Sequence, residues 1–381
     1  MSNLKDRGSE ALPRPAVGKA VLAEFRRTPL LALIVFVPVV ILLEQTVPEA
    51  HTWLFLLSVA AIIPLAALLS RATEAVAAKT GDTVGGLLNA TLGNLTELVI
   101  SLAALQAGQY LLVKASIAGA IVTNTLFMLG GAFLVGGLKH HLQDFNRVNA
   151  RFQASLLFLA TIAILVPSLI SEVDRAAPAA GFSQHLSLGL SVLLIAVYGL
   201  GMLFSLKTHR ELFASGSHVD EDEKPWPLPV GIVVLIVVTL FVAMVSEIFV
   251  GSVQVAAQRL GMTPAFVGFI VVALVGGAAE MTTAFSAARA NRLDLSVGIA
   301  LGSAAQIALF IAPVLVLVSY FVGPEPMSLQ FWPGAVAMML IATMAATLLS
   351  NGGRAAWYAG VMALAVYAIF GLTLFLLPPS A

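Results

Sequence analysis

The chain has 381 residues, of which 59% are hydrophobic and only 10% are charged, while its 20 basic and 20 acidic side chains cancel. Soluble domains carry about 25% charged residues, so the composition predicts a protein solvated by lipid and offers no basic surface to a nucleic acid. The chain contains no cysteine, which excludes disulfides, thiolate metal sites and cysteine nucleophiles.

Residues 1–28 are polar and mixed in charge, and we interpret them as a cytoplasmic N-terminal segment. No signal-peptide cleavage site follows the first apolar run, so this run predicts a retained first span. Apolar runs bounded by charges, proline or glycine predict eleven membrane helices. These helices are at 30–47, 53–70, 84–106, 113–138, 152–171, 185–206, 228–249, 264–288, 295–321, 331–350 and 355–377.

The positions of lysine and arginine predict the orientation of the helices. With a cytoplasmic N-terminus, all basic residues fall on the cytoplasmic side except Lys114, Arg175 and Arg259. We therefore predict that the N-terminus lies inside and the C-terminus outside. The compact loops favour a bacterial inner (plasma) membrane, with an organellar membrane as the alternative.

Two glutamates lie in the middle of apolar segments that resemble each other. A shift of 183 residues, the separation of Glu97 and Glu280, aligns the two segments without a gap across 85–130. The aligned pairs include Gly85 with Gly268, Gly93 with Gly276, Gly119 with Gly302, and Phe127 with Phe310. Each segment lies in the second helix of a block of five, and an odd number of spans inverts one block relative to the other.

The predicted fold is therefore an all-α polytopic membrane protein with eleven transmembrane helices. A first transmembrane helix at 29–50 precedes two inverted five-helix repeats, at 51–206 and 228–381. An acidic cytoplasmic linker at 207–227 joins the repeats, and its four consecutive acids fit a solvated loop better than a cation site. Inverted repeats are typical of transporters whose binding site lies at the bilayer midplane.

A carboxylate at membrane depth costs about 2.5 to 3.5 kcal/mol on insertion scales, so Glu97 and Glu280 predict a functional site. In the first repeat, Asn89, Gly93 and Glu97 are spaced to share one helical face, which Asn94 and Ser101 extend. Gly93 would allow close approach of a backbone or a break in the helix.

The second repeat supplies a double glycine, Gly276 and Gly277, one turn before Glu280, with Thr283 on the same face. The helix after each glutamate adds polar side chains: Thr123, Asn124, Ser303 and Gln306. These donors are carboxylates, amides and hydroxyls, without sulfur or imidazole. Such a set suits a hard cation, above all Ca²⁺. We expect the two glutamates to be the metal ligands and no cofactor to be needed.

The charges of the two glutamates predict a coupling mechanism. One divalent cation or two protons would each neutralise a buried carboxylate pair, and both together would not be favourable. Mutually exclusive binding at one alternating site gives cation/proton antiport. Because sodium is also a hard cation, a sodium-coupled exchanger is the alternative at this stage.

Two other classes fit less well. An intramembrane enzyme would need H-E-x-x-H, or G-x-S-x-G with a histidine at depth, and the sequence provides neither. We therefore expect no enzyme and no catalytic residues. Channels are commonly built from subunits around a pore and not from one chain with inverted repeats. The expected partners are Ca²⁺, protons and the lipid bilayer, and a homo-oligomer is left open.

The stretch 85–98 resembles the first repeat motif of the calcium/proton exchanger family of the cation/calcium exchanger superfamily, G-N-x-x-E preceded by N-A-T. The stretch 266–318 resembles the second motif. The resemblance implies an alternating-access exchanger in which two glutamates bind calcium and protons in turn. The matching positions are Asn94, Glu97, Glu280, Ser303 and Gln306.

The second family motif usually reads G-N-A-A-E-H, and this chain has Gly277 for the asparagine and Met281 for the histidine. One amide oxygen and one imidazole are lost, although Gly277 still offers its carbonyl. We therefore predict weaker calcium binding than in relatives with the full motif. Calcium titration should show a gain in affinity for Gly277→Asn, and an unchanged affinity would contradict the prediction.

Overall fold

The structure is a computed structural model that describes residues 29–173, 182–213 and 226–376. The predicted N-terminal segment 1–28 and the four acids of the predicted linker, at 220–223, lie outside these residues. Within them the chain is helical apart from loops and one ribbon of two short strands.

The helices are connected by short loops over most of the described chain. A 3₁₀ turn, Pro29–Val35, leads into the first helix. In chain order the helices are α1 (Phe36–Thr46), α2 (His51–Lys79), α3 (Asp82–Leu92), α4 (Leu95–Gln106), α5 (Tyr110–His140), α6 (Arg147–Val173), α7 (Phe182–Thr208), α8 (Leu228–Arg259), α9 (Pro264–Gly276), α10 (Ala278–Arg289), α11 (Leu293–Val318), α12 (Pro333–Ser350) and α13 (Trp357–Leu376). The strands are β1 (Leu142–Asp144) and β2 (Arg354–Ala356).

In the described part of the chain, eight helices are long and apolar enough to cross a membrane, namely α2, α5, α6, α7, α8, α11, α12 and α13. The pairs α3–α4 and α9–α10 also qualify when each pair is taken as one span. The chain is therefore an integral membrane protein of the helical class, as predicted. The first predicted span is a shorter apolar helix, Leu30–Thr46, so the count of eleven spans stays a prediction.

Both glutamate-bearing spans are broken in the middle, where a continuous helix is predicted from the sequence. The axis bends by 41° between α3 and α4, around Gly93 and Asn94, and by 58° between α9 and α10, around Gly277. Glycine has a low helix propensity, and the neighbouring helices can satisfy the freed backbone groups. Both ends of α4 and α10 differ by the same 183 residues that relate the two glutamates (95 to 278, 106 to 289).

One end of the bundle, which we call the basic end, carries the loops next to Lys79, Lys139, Arg289 and Arg354. There β1 and β2 pair antiparallel, which joins the loop after α5 to the loop after α12. The buried Gln143 of β1 donates a hydrogen bond to Ala288 O (3.0 Å) near the end of α10. A two-stranded ribbon is marginal alone, so these contacts stabilise it and connect three loops.

At the opposite end, the loop between α11 and α12 lies against the starts of α5 and α7. The Tyr110 hydroxyl accepts a hydrogen bond from Glu325 N and donates one to Glu325 O, both at 2.7 Å. Ser187 Oγ of α7 accepts a hydrogen bond from Leu329 N (3.0 Å). These hydrogen bonds hold the loop of the second half against two helices of the first half at this end of the bundle.

Close packing between α5 and α9 depends on glycine. A Cβ at Gly119 would collide with the backbone of Phe269, and one at Gly268 would lie 2.6 Å from Ala115 Cβ. Small residues allow this approach, and the resulting van der Waals contact drives helix association in lipid. The two halves of the chain therefore touch backbone to backbone on this side.

We expect Gly119→Ala to lower the unfolding temperature in detergent, because overpacking a close contact costs about 1–3 kcal/mol. The control is Gly251→Ala in α8, where a Cβ would meet no atom within 4 Å. This control should unfold at the same or a slightly higher temperature, since alanine favours helix by about 1 kcal/mol over glycine. Equal stability of Gly119→Ala and the wild type would contradict the packing argument.

Candidate functional site

Glu97 and Glu280 occupy equivalent places, in the first turns of α4 and α10. Both half-helices begin inside the bundle, where their first N–H groups have no partner within the helix. The partial positive charge of these helix ends stabilises a carboxylate in the first turn. A glutamate at this position also serves in ordinary helix capping, so its position alone does not indicate transport.

The glycines at the two breaks make room for side chains of the opposite half. A Cβ at Gly276 would lie 3.1 Å from both Cγ and Oε1 of Glu97. A Cβ at Gly93 would lie 3.5 Å from Gln306 Oε1. The side chain of Glu97 therefore lies against the break that comes directly before the helix of Glu280. The structure thus brings the two breaks and both glutamates together.

A chain of hydrogen bonds crosses between the halves beside the glutamates. Asn124 Nδ2 donates to Ser303 Oγ (2.9 Å), and Ser303 Oγ donates to Asn94 Oδ1 (2.7 Å). All three side chains are buried. The single proton of the Ser303 hydroxyl is thus donated to the amide oxygen of Asn94.

Three buried polar atoms of this site make no hydrogen bond to the described part of the chain: Asn94 Nδ2, Gln306 Nε2 and Glu280 Oε2. A buried polar group without a partner costs about 1–3 kcal/mol, and native proteins contain few of them. Their position around the two breaks makes this place the candidate site.

The donor set fits a hard cation held mainly by neutral oxygens. No three His, Asp or Glu side chains are grouped within residues 29–173, 182–213 and 226–376. A cation bound to Glu97 and Glu280 would draw its other ligands from amides, hydroxyls and carbonyls. Ca²⁺ commonly takes six to eight such oxygens in flexible geometry.

Asn89 lies apart from this centre. It lines a cleft of about 340 Å³ together with Glu74, Gly85 and Gly86, next to the loop that joins α2 to α3 at the basic end. The predicted uninterrupted face of Asn89, Gly93 and Glu97 is wrong, because the helix breaks between Gly93 and Glu97. Glu74 gives only a weak signal in the sequence, as a carboxylate near the end of an apolar run.

A second, much smaller cavity of about 10 Å³ adjoins Glu97 on the α4 and α5 side. Its polar lining consists of Glu97, Ser101 and Ser116, with the two serine hydroxyls 3.4 Å apart. This volume is close to the space that one water molecule needs. Ser101 therefore lies next to Glu97 as the spacing predicted, whereas Ser116 gave no signal among its apolar neighbours.

Two threonines named from the sequence do not join the hydrogen-bond chain. Thr123 Oγ1 lies 3.2 Å from the hydroxyl of Tyr367 on α13. Thr283 is exposed, and its hydroxyl donates to Ala279 O of its own helix (3.2 Å). The first is explained by helix packing and the second by ordinary back-bonding to the preceding turn.

Comparison with known proteins identifies the family. The family model described as “Sodium/calcium exchanger protein” matches residues 50–207 and 230–376. The chain belongs to this family. This family member is 39% identical over 368 residues to a Ca²⁺/H⁺ antiporter of Aphanothece halophytica, covering 93% of this chain and 98% of that protein. It is also 39% identical to the Ca²⁺/H⁺ antiporter ChaA of Bacillus subtilis, covering 85% of this chain and 92% of that protein.

Solved structures agree with this assignment. The structure of native YfkE matches with a TM-score of 0.79 at 34% identity, covering 91% of this exchanger and 100% of that chain. The H⁺/Ca²⁺ exchanger CAX matches with a TM-score of 0.71 at 16% identity and therefore shows the shared fold. The resemblance to calcium/proton exchangers seen in the two motifs is confirmed.

We expect Ser303→Ala to weaken cation binding about tenfold, because it removes the one side chain that joins Asn94 to Asn124 and leaves buried amides unmatched. The apparent cation affinity in a transport assay measures this effect. The control is Ser252→Ala on α8, whose buried hydroxyl donates to backbone oxygens of its own helix. Equal affinities of the two variants would show that the hydrogen-bond chain does not shape the site.

Proposed function

We propose that this exchanger is a Ca²⁺/H⁺ antiporter, a secondary active transporter that exports or sequesters Ca²⁺. The observation that carries the proposal is the meeting of Glu97 and Glu280 at the N-terminal ends of two half-helices inside the bundle. The names of relatives that match over most of this chain, Ca²⁺/H⁺ antiporters, support the same substrates.

Charge balance explains why calcium and protons would exclude each other here. Two adjacent carboxylates in a low-dielectric interior need about two positive charges for compensation. One Ca²⁺ supplies them as a ligand of both groups, and two protons supply them by neutralising the groups. Because the same oxygens bind either species, a site loaded with one rejects the other, which is the requirement for coupled exchange.

The surrounding neutral donors would complete the calcium shell. Asn94, Ser303 and Gln306 bring amide and hydroxyl groups to the two breaks. Gly93, Gly276 and Gly277 end or interrupt helices there, and the last carbonyls of a helix have no partner within it. The Gly277 carbonyl is not one of these, because it accepts a hydrogen bond from Met281 N (2.9 Å). We assign Asn89 to the approach cleft, with Glu74, and not to the central shell.

We further propose that the five-helix repeats exchange conformations to alternate access. In this structure Gly119 and Gly268 allow α5 to pack closely against α9. Gly302 of α11 is the equivalent of Gly119 but is loosely packed, since a Cβ there would lie 3.9 Å from its nearest neighbour, Gln153 Nε2. Gly86, the equivalent of Phe269, faces Leu206 instead. If the two repeats exchange conformations, the contact of Gly119 with Phe269 is replaced by the equivalent contact of Gly302 with Gly86. The cleft at the basic end then closes.

The side of the membrane to which the cleft opens follows from the orientation predicted by the basic residues. A cytoplasmic basic end places the cleft beside Glu74 and Asn89 on the cytoplasmic side. The structure would then be open to the cytoplasm and closed outside, with the N-terminus inside and the C-terminus outside. A bacterial inner membrane is the proposed location.

Sodium is the alternative coupling ion, because the family description includes sodium/calcium exchangers. Sodium is a hard cation that oxygen donors also bind, so the donor set does not separate the two. A sodium-calcium exchanger structure matches with a TM-score of 0.51 at 17% identity, which shows the fold alone. Dependence of flux on sodium or on protons decides between the two couplings.

We expect Glu97→Gln and Glu280→Gln each to reduce Ca²⁺ uptake driven by a pH gradient in proteoliposomes to background. Each substitution keeps the side-chain volume and removes one of the two charges that compensate Ca²⁺. Glu247→Gln, at an exposed position of α8, is the control and should transport like the wild type. Uptake that requires a sodium gradient would favour the alternative, and full activity of either variant would refute the paired site.

If the repeats exchange conformations, a variant that carries both Gly86→Cys and Gly302→Cys should form a disulfide. The chain has no native cysteine, so no other pairing competes. A disulfide needs Cα atoms about 4.4–6.8 Å apart, so it should form only when the cleft closes. Crosslinking should stop Ca²⁺ transport, and reduction should restore it. The two single-cysteine variants are the controls. Failure to crosslink at every pH and Ca²⁺ concentration would argue against closure at this contact.

A further inference from the structure

The two breaks differ in what fills the space beside them. The 183-residue shift places Gly277 at the position of Asn94 and Met281 at the position of Leu98. Asn94 accepts a hydrogen bond from Ser303 across the halves (2.7 Å). Gly277 has no side chain to contribute, so the second break presents only backbone atoms at this point.

The terminal methyl group of Met281 lies where a side chain at 277 would begin. A Cβ at Gly277 would be 3.1 Å from Met281 Cε and 3.6 Å from Asn124 Oδ1. The backbone at Gly277 has φ −79° and ψ 3°, so its conformation is open to other residues. Space, and not backbone strain, therefore opposes a larger residue here.

Met281 is held in this place by its own packing. It is 6% exposed and belongs to a buried cluster with Met128, Phe133 and Ala284. Methionine is flexible and fills irregular gaps, so it can give way by a few tenths of an ångström. It cannot give way by the length of an amide group without leaving this cluster, because protein interiors are close-packed.

We propose that Gly277 and Met281 act as one specificity-determining pair that sets the Ca²⁺ affinity of the site; this inference rests on the proposed function. The Met281 methyl group occupies the volume that a second amide would need and keeps an oxygen ligand away from the Glu280 side. The second break then contributes no side-chain ligand at this point, whereas Asn94, Asn124, Ser303 and Gln306 supply neutral groups, and the calcium shell is one-sided.

The pairing changes what substitutions at this place will do. Ca²⁺ takes six to eight oxygens, so an added amide should strengthen its binding. The packing of Met281 against Gly277 replaces the gain in affinity predicted from the sequence for Gly277→Asn alone: the new amide and the Met281 methyl group compete for one volume, so the single variant should show no gain. With Met281 shortened, an amide at 277 would begin 3.6 Å from Asn124 Oδ1, to which it could donate a hydrogen bond that orients it.

A double-mutant cycle tests the pair: wild type, Gly277→Asn, Met281→Ala, and both substitutions together. Two quantities are measured, the apparent Ca²⁺ affinity for uptake and the unfolding temperature in detergent with and without Ca²⁺. We expect Gly277→Asn alone to unfold earlier without Ca²⁺ and to bind Ca²⁺ no more tightly than the wild type. The double variant should recover stability relative to Gly277→Asn and bind Ca²⁺ about fivefold more tightly than the wild type.

The matched control combines Gly277→Asn with Met327→Ala, since Met327 is a buried methionine in the loop between α11 and α12. This control should show neither the recovery nor the tighter binding. An equal gain in apparent Ca²⁺ affinity in Gly277→Asn and in the double variant would contradict the proposal that Gly277 and Met281 act as a pair. No gain in either variant would contradict it as well. The proposed function would be overturned if the wild-type protein were neither stabilised by Ca²⁺ nor able to transport it. In that case the unfolding temperatures without Ca²⁺ would still test the packing of Gly277 against Met281.

Discussion

Two carboxylates in the interior of a lipid-solvated bundle are the constraint on which the other features depend. Isolated charges at this depth are unfavourable, so Glu97 and Glu280 need compensation from inside the protein or from a bound ion. The breaks between α3 and α4 and between α9 and α10 provide part of it, because they place two helix N-termini beside the carboxylates. In the proposed function, the transported cation or protons supply the remaining compensation.

The site is polar on one side and apolar on the other. Asn124, Ser303 and Asn94 form a continuous hydrogen-bond chain that fixes the first break against α5 and α11. At the equivalent place of the second break, Gly277 meets the methyl group of Met281. A cation bound between the glutamates would therefore have ordered polar side chains on one side and fewer ligands on the other. Such an incomplete ligand shell favours release over tight binding.

The closed and open ends of the bundle follow from how closely helices approach. Gly119 and Gly268 let α5 and α9 touch, and the loop held by Tyr110 covers the same end. At the basic end, Gly85 and Gly86 line a cleft instead. Gly85 and Gly268, which the 183-residue shift pairs, both permit close packing, Gly85 against the backbone of Ala77 beside the cleft and Gly268 against Ala115.

The sequence by itself determined the membrane class, the helical composition, the two glutamates and the glycines around them, because hydrophobic runs and buried charges carry strong and local signals. Tertiary structure decided which donors meet. In a continuous helix, Asn89 would lie on the same face as Glu97. The helix instead ends at Leu92, and Asn89 lines the cleft. Thr123 is drawn to Tyr367, and Asn124 reaches Ser303, 179 residues away along the chain. Contacts at such separations depend on how helices cross and where they bend, and no spacing rule within one segment contains that information.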